Sequence, residues 1–316
     1  MLRFVIRRTL STTALLFAIS VLTFLIFFAF PSSNPALRLA GRTATPAQIA
    51  SVEKEWGFNK PIYVQYVKMM GKIFDGSVTS YTQGLNVDHE IWSDLQPTVA
   101  LAVGAGIIWF LMGVLFGVLS ALRAGRLLDR FLTVISMIGV STPVFFLGAV
   151  LLFYLGFQLG LFPNGDYVPI QDNPIQWLYH MLLPWFTLSV LFIGVYSRVL
   201  RSTILDMMSD DFVRTARAKG LSERQVLIRH VLRNSLIPIV SLWGLDFASI
   251  IGGGAILTES VFNLQGVGQY AATSIQNLDI PPVLVITMFG AFFVVLFGAI
   301  VDVVHASLDP RVRLTA

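Results

Sequence analysis

Three carboxylates lie in or beside long apolar runs of this chain: Asp246 inside the fifth run, Glu259 near its far end and Asp302 in the sixth. An ionised acid is costly in hydrocarbon, so such residues usually face a bundle interior or a water-filled path, and each is a candidate for function. Position separates them. Asp302 lies close to a membrane surface beside His305, and Glu259 sits near an interface, where anchoring a loop accounts for it. Asp246 is deeper and admits two readings. One is a place on a water-filled pathway through the bundle, where it attracts a cation. The other is a hydrogen-bonded pairing with a neighbouring helix. Other chemistry is missing. His89, His180, His230 and His305 lack metal-ligand spacing, and with no cysteine there is no thiol nucleophile, zinc-thiolate site or disulfide framework. No Walker sequence, H-E-x-x-H or Ser-His-Asp arrangement occurs, and Gly252–Gly254 has neither the strand before it nor the Gly-Lys-Ser/Thr after it that a phosphate loop needs. The chain reads as a non-enzyme, with no metal or cofactor of its own.

The elements that must position Asp246 are membrane spans. Of 316 residues, 55% are hydrophobic and 13% charged, at a mean hydropathy of +0.73, too apolar for a soluble domain. An all-α polytopic membrane protein is expected. A helix needs about 20 apolar residues to cross the hydrocarbon core. Six runs qualify, at approximately Thr9–Phe30, Thr98–Leu122, Leu132–Gly160, Trp177–Leu205, Leu236–Phe262 and Pro281–His305. The first follows Arg7 and Arg8 but is longer than a signal core and lacks a small-x-small cleavage site, so it is read as an uncleaved span. Pro143, after Ser141 and Thr142, interrupts the third run, and Pro184 the fourth; each removes a backbone hydrogen bond and bends its helix. Gly113 and Gly117 form a G-x-x-x-G which, like Gly252–Gly254, reads as close helix packing.

Charge sets the orientation. Three Lys/Arg lie in the N-terminal tail, three between residues 123 and 130, eight between Arg198 and Arg233 and two at the C-terminus, sixteen in all against six on the other side. Those six fall in the long segment after the first span, which translocates largely regardless of charge, so both termini are expected in the cytoplasm. The basic pI near 9.5 follows from this topology and not from nucleic-acid binding. The external segment carries Trp56, Phe58, Tyr66, Met69 and Phe74 at near-helical spacing. It reads as a folded cover over the outer mouth or as an amphipathic stretch at headgroup level. The chain thus divides into a tail and first span (1–30), an external segment (31–97) and a five-span core (98–316) with a cytoplasmic loop at about 206–235.

That loop has an inner pattern. Asp210 and Asp211 are placed to cap a short helix carrying Phe212 and Ala216, flanked by Arg214 and Arg217 and ended by Gly220. Ser222 and Gln225 have capping-box spacing for a second helix. Two short helices with aromatic and small residues at a membrane surface form a docking element for another protein.

The stretch Asp211-Phe-Val-Arg-Thr-Ala-Arg-Ala-Lys-Gly220 resembles the coupling loop of binding-protein-dependent ABC importer permeases, more narrowly the B-type permeases of dipeptide and oligopeptide importers. In the general family the loop reads Glu-Ala-Ala, three residues, then Gly; Arg214, Thr215, Ala216 and Gly220 hold those positions, the first two departing as the peptide branch commonly does. Asn59-Lys-Pro-Ile-Tyr-Val-Gln-Tyr66, Ser141-Thr-Pro-Val-Phe-Phe-Leu-Gly148, Thr258-Glu-Ser-Val-Phe262 and Asp309-Pro-Arg311 also look like that branch. The resemblance implies a type I importer permease in a prokaryotic inner membrane. It implies a second homologous permease, two cytoplasmic ATPases that bind ATP and Mg, and an external binding protein delivering di- or oligopeptides; nickel or glutathione are alternative cargoes. It implies that Asp211, Phe212, Arg214, Thr215, Ala216, Lys219 and Gly220 couple to the ATPase, with Pro143 and Pro184 as hinges. A secondary transporter or a membrane scaffold are the rival classes.

Overall fold

The structure is a computed structural model that describes residues 2–29, 34–41 and 44–308. Arg42 and the terminal Asp309-Pro-Arg311 motif lie outside the described residues, as does the His305 side chain. Among the described residues the regular elements are helices, with one isolated bridge between Thr79 and Asn86. They are α1 (Leu2–Phe24), α2 (Pro35–Ala40), α3 (Pro46–Trp56), α4 (Ile62–Phe74), α5 (Val87–Leu122), α6 (Leu127–Ser141), α7 (Val144–Leu151), α8 (Pro174–Met208), α9 (Asp211–Ala218), α10 (Glu223–Val226), α11 (Arg233–Ser249), α12 (Ile256–Phe262), α13 (Val267–Gln276) and α14 (Ile280–Leu308). Short π-helical stretches extend α1, α7, α10 and α11.

Five single helices are long and apolar enough to cross a membrane, six if one bent pair counts as a single span. That pair corrects the third expected span. Leu127–Ser141 and Val144–Gln158 meet at 97° across Thr142 and Pro143, because Pro143 has no amide to continue the ladder and Thr142 turns to extended backbone. The fifth span is also shorter at its far end than its hydropathy implies. It ends at Gly254, where Gly253 takes φ 93° and interrupts the helix, leaving Glu259 on the separate α12. Pro184 lies buried inside α8, which runs through it unbroken.

The chain forms two compact units, residues up to 99 with 248–300, and residues 100–247 with those from 301 onward. In the first, the external helices have one apolar face each. Trp56 and Met69 are buried with Phe24, Phe28, Val267 and Leu284, while Tyr63 and Phe74 on the opposite faces stay exposed. Thr45 and Gln48 close a capping box at the start of α3. The Trp56 indole donates to Tyr81 Oη at 2.9 Å, and Tyr81 donates to Glu55 at 2.7 Å. In the second unit, small residues set the packing of α8. A Cβ at Gly113 would come 2.7 Å from the Tyr196 Cβ, and one at Gly117 would come 2.9 Å from that of Leu200, so the G-x-x-x-G is where α5 and α8 meet. Gly139 and Gly194 give α6 and α8 the same close approach, with Ser136 and Ser197 hydrogen-bonded at 2.9 Å between them.

Candidate functional site

The basic loop begins where α8 ends. Ser209 and Asp210 turn the chain into α9. Asp210 has the extended backbone of an N-cap, but its side chain makes no capping hydrogen bond, contrary to expectation. Asp211 in the first turn still complements the helix dipole. At the other end Gly220 takes φ 81°, a left-handed conformation that a side chain there would oppose. The second expected cap is present: Ser222 accepts from the Gln225 amide and Gln225 accepts from the Ser222 amide. The expected second short helix is instead the first turn of a continuous helix, Glu223–Gly254, and Arg217 ties α9 to it, its Nε and Nη2 donating to the two Glu223 oxygens at 2.8 and 3.1 Å.

α9 has two faces, and they differ from the sequence reading. Val213 and Ala216 are turned into the chain, Ala216 at 5% exposure, with Val226, Leu227 and Val231 also buried. Ala216, expected beside Phe212 on an exposed docking face, is thus turned inward, while Phe212 stands 39% exposed. Asp211, Arg214, Thr215, Lys219 and Gly220 are exposed as well. Arg214 reaches Asp211 at 3.4 Å, a weak surface contact. Lys219, Arg224, Arg229 and Arg233 pair with no carboxylate among the described residues. The arrangement offers an aromatic ring and a field of cations on a small platform packed on the chain through Val213 and Ala216.

Asp246 accepts a hydrogen bond from Tyr196 Oη at 2.7 Å and is partly buried. Helix pairing between α8 and α11 is therefore present. Glu259 is fully buried, accepting from the Thr98 hydroxyl at 2.8 Å and the Gln269 amide at 2.9 Å. Thr98 in turn accepts from the Val267 amide at 2.9 Å, so the acid locks the junction of α12 and α13 to α5. Burial pushes the Glu259 carboxyl above its ordinary value, against the pull of those donors.

One site escaped the sequence reading. Asp129, at 4% exposure, takes Arg201 Nε and Nη2 at 2.7 and 2.8 Å, the Gly125 amide at 2.7 Å and the Ser120 hydroxyl. This pins the turn between α5 and α6 to α8. The available signal was a lone acid among Arg123, Arg126 and Arg130.

Comparison with known proteins agrees with this architecture. Residues 113–314 match the model of the binding-protein-dependent transport system inner membrane component, and residues 1–86 match that of its N-terminal part. The chain is 36% identical to a probable peptide ABC transporter permease of Sinorhizobium fredii, covering 98% of this chain and 99% of that one. It is 34% identical to an oligopeptide transport system permease of Bacillus subtilis, over 99% and 100% of the two chains. A glutathione transport system permease of Salmonella paratyphi A is 33% identical over 99% of each. Among solved structures, an inward-facing MetNI methionine ABC transporter shares the fold, with a TM-score of 0.52 at 17% identity over 69% of this chain and 96% of that one. Spans, loop and full-length relatives converge: the chain belongs to the inner-membrane components of binding-protein-dependent transport systems and is a permease subunit of an ABC importer.

Proposed function

We propose that this chain forms half of a path for di- or oligopeptides and takes its energy through the outward face of α9. A second homologous permease completes the path, two cytoplasmic ABC ATPases bind ATP and Mg, and an external binding protein delivers cargo. The observation that carries the reading is the division of α9 into a face packed on the chain and a face left open. An exposed Phe212 stabilises little in the isolated subunit, whereas burying it against a partner contributes about 1 to 2 kcal/mol. The unpaired cations around it favour an acidic docking surface and speed encounter. Peptide as cargo is supported by the names of the relatives. Both termini in the cytoplasm are supported by the distribution of Lys and Arg.

ATPase closure would displace α9, and the Arg217–Glu223 staple together with the buried Val213 and Ala216 would carry that displacement into the spans as a rigid push. The 97° joint at Pro143 offers a place where half-helices reorient without breaking hydrogen bonds; Pro184, within an unbroken helix, would act by local bending. Asp246, only partly buried, would keep its second role as a weak electrostatic guide on the path while bonded to Tyr196. The chain itself catalyses no step.

The test is reconstitution with the partner permease, both ATPases and the binding protein in vesicles, followed by uptake of a labelled dipeptide. Uptake should require ATP. Uptake driven by an ion gradient without ATP would replace the reading with secondary transport. Reporter fusions at Gly165 and Thr215 check orientation, and an external signal at Thr215 would remove α9 from the reach of any ATPase.

A further inference from the structure

The turn between α5 and α6 holds three arginines that the transport reading does not use. Arg123, Arg126 and Arg130 are all exposed, and no carboxylate among the described residues pairs with them. The only acid in the stretch 123–131, Asp129, is turned inward. Its oxygens are taken by Arg201, the Gly125 amide and Ser120, so it does not lie among the exposed arginines as a surface partner. Gly125, at φ 78°, makes the tight reversal, and the Arg126 amide donates to the Arg123 carbonyl at 2.9 Å across it. Arg126 and Arg130, four residues apart, lie on one side of the start of α6. Together with Gly125, Leu127 and Leu128 these arginines line an open hollow of about 640 Å³.

Apolar groups are interleaved with the charges. Leu127 is 82% exposed, and Leu122 and Phe131 are exposed on either side. The apolar span α5 ends here and the apolar bent pair begins, so the arginines sit where hydrocarbon gives way to headgroups. A soluble anion would satisfy the guanidiniums and leave the leucines in water. An acidic protein surface would do the same. An amphiphile with a phosphate beside acyl chains satisfies both.

We infer that this turn is a binding site for an anionic phospholipid, whose phosphate sits among Arg123, Arg126 and Arg130 and whose chains lie along Leu122, Leu127 and Phe131. The bond from half-buried Arg201 to buried Asp129 keeps the turn in the shape that presents them. The site depends on α5 and α6 being spans and not on the cargo or on ATPase docking.

Native mass spectrometry of the purified full-length chain tests it, with phosphatidylglycerol and phosphatidylcholine offered separately. The parent should retain phosphatidylglycerol preferentially. Each arginine lost should lower that preference roughly fivefold, and the triple change Arg123→Gln, Arg126→Gln, Arg130→Gln about a hundredfold, from the attraction of one basic side chain to an anionic leaflet. Because these charges also guide insertion, Arg126→Gln alone is measured alongside, and the triple Arg→Lys chain should insert and keep most of the preference. Three results would overturn the site: equal retention of both lipids by the parent, an unchanged preference in Arg126→Gln and in the triple glutamine chain, or complete displacement of the lipid by inorganic phosphate at equal concentration.

Discussion

Glu259 and α9 are opposite solutions to placing polar groups near a membrane. Around Glu259 the chain supplies its own partners: the acid is fully buried, and Thr98, the Gln269 amide and the Val267 amide are joined in one network. Gly268 leaves room for it, since a Cβ there would come 2.9 Å from Glu259 Oε2. Around α9 the chain supplies half. Arg217 and Glu223 hold the fold of the loop, while Phe212, Lys219 and Arg224 are left to solvent. A completed network fixes one arrangement, because each buried group would be left unpaired in any other. An incomplete surface has no preferred state until something covers it. The contrast teaches where to look for partners: at groups left unsatisfied on a well-ordered frame.

The largest effect should come from spoiling the incomplete surface. Phe212→Asp combined with Arg214→Glu is expected to cut ATP-dependent uptake roughly tenfold or more, as loss of an interface anchor does, with the chain's own thermal stability unchanged. Parental uptake would mean the outward face of α9 is idle. Ala216→Arg makes the opposite case, since it forces a charge into the chain's own packing and should lower stability as well as uptake.

Next is the completed network of the second unit. Arg201→Ala leaves the Asp129 carboxylate with only the Gly125 amide and the Ser120 hydroxyl and should cost about 1 to 3 kcal/mol in unfolding measurements. Recovery of part of that loss by adding Asp129→Asn would identify the stranded charge as the cause, and an unaffected melting profile in Arg201→Ala would deny that the pair pins the turn.

Glu259 gives a smaller effect with a definite sign. Its folded-state carboxyl is raised above the ordinary value of 4.5, so the folded state holds its proton to higher pH than the unfolded state does. Stability from this group is fully present below that value and is lost as pH rises through the raised one. Glu259→Gln should therefore flatten the fall in melting temperature above pH 4.5, and a fall of the same slope in the variant would assign it to other groups. The smallest change expected is in Tyr196→Phe, about 0.6 kcal/mol for one interhelical hydrogen bond in a membrane. Asp246→Asn, assayed beside it for uptake, separates a charge on the path from a packing partner: unchanged uptake leaves only the pairing.

What the sequence revealed was local. The Ser222 and Gln225 cap, the contact at Gly113 and Gly117, the break at Pro143 and the amphipathic external helices each follow from residues within a few positions of one another. Contacts between distant residues were not legible. Arg201 meets Asp129 from 72 residues away and Tyr196 meets Asp246 from 50, and hydropathy carries no information on such pairings. The faces of α9 were half legible. Its period places Val213 beside Ala216, but which side turns inward depends on hydrophobic neighbours in later helices, so the sequence pattern puts Ala216 on the open face with Phe212 although it turns inward. Residue type alone predicts a cap at Asp210, and its side chain does not make that bond.

Gly252 and Gly290 bring bare backbone against bare backbone: a Cβ on Gly252 would come 2.9 Å from the Gly290 Cα. Where helices interdigitate, one can slide along another only if side chains change rotamer and climb over each other. At this crossing there are no teeth to disengage. The contact can act as a smooth bearing beside the break at Gly253, passing small shifts of α14 without a discrete energy step, and even an alanine at either position would work as a brake.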